Sequence, residues 1–191
     1  MSIPPILVFD IETTSDDREK AGIVEIAALW LDPSLAGNGS IGFEIKCRPR
    51  PKSYWQPRAF EINGCDWQLD ESYPTEAEAV ESLLTWLAGR PALLAGMNPS
   101  FDQHIFKNAC LAAASDRHEA SKDPFSFRTV DVHSLAVADL VKRGIAIPAE
   151  GIKSRLICEA YEIAEEPKPH RAMNGAAWEC KLLRRLLGLP V

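Results

Sequence analysis

The chain has 191 residues, 46% of them hydrophobic and 25% charged, and carries a net charge of −6. That length predicts one domain, residues 1–191, with enough core to need neither disulfides nor a structural metal. No apolar run approaches the ~18 residues that span a bilayer, so no membrane contact is expected, and the acidic balance excludes a broad basic surface gripping nucleic acid along its length.

Any nucleic-acid contact must therefore be short, or must draw its positive charge from metal ions. The start, Met1 to Pro5, has neither a basic region nor an apolar segment, so no signal peptide is expected. Five scattered cysteines without a Cys-x-x-Cys pair argue against a zinc site or a disulfide framework and fit a cytoplasmic location.

In chain order, Ile6 to Glu12 is a continuous β-prone run that reads as a buried central strand. Ile23–Leu31 and Ser40–Cys47 read as two more strands, joined by a Pro/Gly/Asn turn. Pro57–Asn63 suggests a short helix, and Thr75 caps a longer one running to about Ala88. Ala92–Gly96 is a short buried strand. Asn98-Pro99 then signals a helix to about Ala114, with Asn98 as the capping side chain.

A polar loop from Ser115 to Ser126 leads to Phe127–Val130 and a helix over Val132–Lys142 capped by Asp131. Helices over Gly151–Ile163 and Arg171–Leu187 follow. The order β-β-β-α-β-α-β-α-α describes an α/β domain with a mixed sheet.

Asp10 and Glu12 stand one residue apart on a strand, so they project from one face. They lie at the carboxyl end of an apolar strand, where open α/β sheets place their sites. Two such carboxylates are either a solvated pair or a pair that shares a cation, for which a hard divalent ion with oxygen ligands is suited.

Asp102 falls on the apolar stripe formed by Ile105, Phe106, Ala109 and Ala113, and a buried aspartate needs a partner. The helix N-terminus is one candidate partner and a cation is the other. His170 begins the last helix and has a pKa suited to taking a proton from water, although a lone histidine is commonly a surface or capping residue.

Together these segments resemble the DEDDh exonucleases, the DnaQ-like branch of the ribonuclease H-like superfamily. Phe9-Asp10-Ile11-Glu12-Thr13-Thr14 is similar to the first motif, Asn98-Pro99-Ser100-Phe101-Asp102 to the second, and His170-Arg171-Ala172-Met173 to the start of the third. Ile23–Ala28 and Phe60–Gly64 are similar to intervening segments, so the resemblance runs from about Ile6 to Leu187.

The resemblance implies a ribonuclease H-like mixed five-stranded sheet flanked by helices. It also implies a 3′→5′ exonuclease that releases nucleoside 5′-monophosphates with two Mg²⁺ or Mn²⁺ ions, one activating water and one stabilising the departing 3′ oxygen. Asp10, Glu12 and Asp102 would hold metal, His170 would deprotonate water, and Thr13 and Asn98 would hold the terminal nucleotide. The partner would be a single-stranded 3′ end, DNA in preference to RNA. Neither a homodimer nor a polymerase or repair partner is readable.

One departure stands out. The third motif of the family has an aspartate five residues after the histidine, and here that position is Gly175. Glu179, one turn further and about 40° around the helix, could reach over the space that glycine leaves. Asn174 is the other candidate, about 100° away. With no substitute, the chain would be an impaired exonuclease-like binding module.

The stretch Lys46–Arg58 has five basic residues, two aromatics and no acid. It is either a strand-binding segment, with Tyr54 or Trp55 stacking on a base, or a solvated connection. Trp67 and Trp86 read as packing residues. His104, His118 and His133 read as structural or surface positions.

Overall fold

A computed structural model describes residues 5–31, 41–66, 70–117, 124–149 and 151–190. The strands are β1 (Ile6–Thr13), β2 (Ile23–Leu31), β3 (Gly42–Lys46), β4 (Leu93–Gly96) and β5 (Thr129–Asp131). The helices are α1 (Pro57–Asn63), α2 (Glu76–Leu87), α3 (Pro99–Arg117), α4 (Val132–Lys142), α5 (Ser154–Tyr161) and α6 (Ala172–Leu186).

The five strands form one mixed sheet in the order β3-β2-β1-β4-β5. β1 pairs antiparallel with β2 and parallel with β4, and β5 is parallel to β4. This is the five-stranded α/β sheet flanked by helices that the sequence implied. The strands occur in the expected order, and the two helices expected between β3 and β4 and the three expected after β5 are all present, one more in each place than the abbreviated order carries.

Alternation along the strands builds two cores. Leu7, Phe9 and Ile11 pack with Ile26, Ala28 and Leu94 against α2 and α3. Ile6 and Val8 pack with Ala27, Leu29 and Ala95 against α4, α5 and α6. The period of two then carries Asp10 and Glu12 onto the α6 side, just beyond the apolar layer.

Local chemistry sets the element ends. Thr75 and Glu78 form a reciprocal capping box on α2, and Asp131 accepts from the His133 amide at the start of α4. α3 runs past Ala114 to Arg117, so it takes in the first residues of the expected polar loop, of which 118–123 lie outside the described residues. Asn98 is left-handed (φ 58°), and its side-chain oxygen accepts from Ser100 Oγ at 3.0 Å. The expected turn between β2 and β3, Trp67 and His118 lie outside the described residues.

All five cysteines are buried, and none is in a disulfide. Among the described residues, no helix is long and apolar enough to cross a membrane.

Candidate active site

The carboxyl ends of β1 and β4 and the buried face of α6 enclose a cleft of about 420 Å³. Asp10, Glu12, Asp102, His170, Glu179, Thr13 and Asn98 all line it, together with Gly175. Asn174 is absent from the lining.

Asp102 is 6% exposed, at the start of α3, as its place on the apolar stripe requires. Glu179 is 5% exposed and sits on the buried stripe of α6 with Gly175, Ala176, Leu182 and Leu183. Its Oε1 accepts from the Met97 amide at 3.0 Å. Its Oε2 is buried without a hydrogen-bond partner among the described residues. A carboxylate in that state is either protonated or paired with a cation.

Gly175 has a steric reason. A Cβ there would overlap Asp10 Oδ2 and stand 3.0 Å from Asp10 Cγ. Any side chain at this position would push the Asp10 carboxylate out of its place, so α6 approaches β1 across a glycine. A carboxylate from α6 therefore enters the cleft one turn later, at Glu179.

The electrostatics are those of crowded acids. Burial raises the Asp10 pKa well above the carboxylate range, with Glu179, Asp102 and Glu12 adding to it in that order. Burial also lifts Glu12 to about 7, helped by Glu166 and Glu25 and opposed by Asn63 and Arg171. Asp102 is raised to about 8 by burial, against the pull of its own amide and that of Ile11. Glu179 is raised by burial and then by Asp102. Clustered acids with these shifts make the cleft a candidate functional site.

Among the described residues, no three His, Cys, Asp or Glu side chains converge into a preformed metal cage. The donor set nevertheless fits a hard divalent ion, being all oxygen, anionic and short of compensating charge.

His170 is held through its backbone, whose N–H donates to Ile62 O at 2.9 Å. Its Nδ1 lies 3.2 Å from Glu166 Oε2. Glu166 also lines the cleft and escaped the sequence reading, because the Pro-rich stretch around it has no periodicity to report which way a side chain faces. Asn63, equally unforeseen, donates to Thr13 O at 3.1 Å and ties α1 to the end of β1.

The basic stretch is largely committed to the fold. Arg50 pairs with Glu76 at 2.7 Å, Arg48 Nε donates to Tyr73 O at 3.0 Å, and Trp55 stacks on Phe60 at 4.8 Å. Trp55 is thus a packing residue, whereas Tyr54 stays exposed and Arg58 reaches the cleft. His104 pairs with Glu19 at 2.7 Å, and Trp86 packs on Trp30 and Phe43.

The family model RNase_T (Exonuclease) matches residues 7–183, nearly the whole chain. The chain belongs to this exonuclease family.

Among solved structures, it is similar to cell-death related nuclease 4 (CRN-4), with 15% identity and a TM-score of 0.72 over 97% of this chain and 64% of that one. The nuclease domain of 3′hExo, a DEDDh family member bound to rAMP, gives 15% identity and a TM-score of 0.72, covering 97% and 92%. A zinc-bound E. coli ExoI–ssDNA complex gives 20% and 0.71, covering 97% and 42%. The chain thus spans less than two thirds of two of these three proteins, and at such identities the likeness shows the fold. No curated protein matches the chain.

Proposed function

We propose that this chain is a DEDDh-type 3′→5′ exonuclease that cleaves single-stranded nucleic acid from its 3′ end and releases nucleoside 5′-monophosphates. The observation that carries the reading is the gathering of Asp10, Glu12, Asp102, Glu179 and His170 around one cleft in an exonuclease-family fold. The zinc and single-stranded DNA in the ExoI complex support divalent-metal dependence and a nucleic-acid strand as substrate, and the rAMP on 3′hExo adds RNA to the substrates to be tested beside DNA.

In this reading Asp10, Glu12, Asp102 and Glu179 hold two Mg²⁺ or Mn²⁺ ions, with Glu179 standing in for the aspartate that Gly175 replaces. When bound, the ions supply positive charge against the phosphate and acidify water. His170 accepts the proton of the attacking water. Thr13 and Asn98 hold the terminal nucleotide, and Arg58 at the cleft edge meets a phosphate.

The glycine at 175 favours a second reading, a binding module without catalysis. End-labelled single-stranded DNA and RNA, incubated with Mg²⁺ or Mn²⁺, separate the two. We expect stepwise mononucleotide release from the 3′ end by the native chain and almost none by Asp10→Asn. Strand binding without release would establish the module. Replacing Glu179 by Gln should raise the Mn²⁺ concentration needed for half-maximal rate; an unaltered metal dependence would remove Glu179 from the ligand set.

A further inference from the structure

α5 ends at Tyr161, and the chain then runs without regular structure to Arg171 before α6 begins. Two bonds fasten the end of this run to α1: His170 N–H to Ile62 O at 2.9 Å and Arg171 Nη1 to Asn63 O at 2.6 Å. These fix the backbone of His170 but not the rotation or tautomer of its ring. Among the described residues, Glu166, four residues earlier in the same run, is placed to do that.

Glu166 Oε2 lies 3.2 Å from His170 Nδ1, with the Glu166 side chain 20% exposed and the His170 side chain 39% exposed. The carboxylate therefore stands on the inner side of the pair. An ionised carboxylate only accepts hydrogen bonds, and a neutral imidazole has one N–H and one lone pair. A carboxylate at Nδ1 therefore selects the ring form protonated there and leaves the lone pair on Nε2.

We propose that Glu166 is a positioning residue for His170, holding the ring with Nδ1 protonated and Nε2 free to act as base; this rests on the exonuclease reading above. In the reaction an O–H bond of the attacking water breaks and its proton passes to Nε2, while the water oxygen bonds to phosphorus. The P–O3′ bond breaks, and the departing 3′ oxygen keeps the electron pair and takes a proton from solvent. The ring becomes imidazolium, and the Glu166 carboxylate beside it offsets the new charge. Carboxylates behind histidines elsewhere set tautomer and orientation in this way.

The test uses the intact chain, with His170 assigned among four histidines by its loss in His170→Asn. Ring ¹⁵N spectra of the neutral form should show Nδ1–H in the native chain and in Glu166→Gln, whose amide oxygen still accepts. In Glu166→Ala the population should move to Nε2–H. In turnover, Glu166→Ala should lose roughly 10- to 100-fold in kcat, with KM and the Mn²⁺ requirement within about two-fold of native and the Gln variant recovering part of the loss.

An unchanged tautomer in Glu166→Ala overturns the proposal. So does a loss of rate that is reversed by added Mn²⁺, which would make Glu166 a metal ligand instead. The spectra need no turnover, so an inactive native chain would sink the exonuclease reading while the tautomer still decides the role of Glu166.

Discussion

Two acids of the same type are buried on opposite sides of the sheet, and they are solved differently. Glu76, 2% exposed, accepts from Ile23 N at 2.7 Å, from Arg50 N at 3.2 Å and from Arg50 Nη1 at 2.7 Å. Glu179, 5% exposed, accepts one amide, leaves Oε2 without a hydrogen-bond partner among the described residues and faces other carboxylates. The first acid carries its compensation within the chain, so its charge is structural. Among the described residues nothing compensates the second, which needs a proton or a cation from outside, and that makes its cleft the candidate site.

The sharpest way to break this contrast is to neutralise one acid on each side without changing its shape. Asp10→Asn should lower the hydrolysis rate by about a thousand-fold or more, a loss of about 4 kcal/mol in transition-state stabilisation. Metal-free, at pH 8, the same variant should melt above the native chain because an amide needs no neutralisation to be buried beside the other acids. Glu76→Gln should do the reverse. Leaving the Arg50 guanidinium without its anion should cost about 3 kcal/mol, a fall of roughly 6–12 °C in Tm for a chain of this size. Its rate per folded molecule should stay native. Equal effects of both substitutions on Tm would erase the distinction.

Gly175→Ala probes the same boundary from the backbone. In most helix interiors this change stabilises by about 1 kcal/mol. Here the new Cβ overlaps Asp10 Oδ2, and a displacement of about 1 Å at a reacting group commonly costs about 100-fold in rate. We expect a loss of that size in turnover with no gain in Tm. A more stable and fully active alanine variant would show that Asp10 has room to move.

These contrasts were unequally legible in the sequence. Strand alternation and the stripe of α3 placed Asp10, Glu12 and Asp102 in advance, because side-chain direction follows from local period alone. The same logic set Glu179 one turn beyond Gly175. It could not say why glycine stands there, since the reason is an atom of β1 more than 160 positions away in the chain. Glu166 lies in an aperiodic run, so its direction is set by tertiary packing. The five basic residues of Lys46–Arg58 look alike in sequence, yet Arg50 is spent on a buried glutamate while Arg58 reaches the cleft. Only long-range pairing tells them apart.

The smallest effect, and the one that separates the two regions by pH, concerns the metal-free chain. Glu12 rises from an ordinary 4.5 to about 7 and Asp102 from 3.8 to about 8 on folding. For acids shifted upward, the stabilising contribution is complete below the ordinary values and is lost as pH climbs through the raised ones. With chelator present, Tm should therefore fall steadily as pH rises from 5 to 9. Saturating Mn²⁺ should restore more of it at pH 8 than at pH 5.5, because a cation binds the ionised acids. Glu76→Gln should keep this pH-dependent cation effect, since its charge lies outside the cleft, whereas Asp10→Asn should shrink it. Melting curves for the three chains at two pH values, with and without Mn²⁺, decide the matter. A cation effect independent of pH, or equal in both variants, would mean that the cleft carboxylates are not where the ion binds.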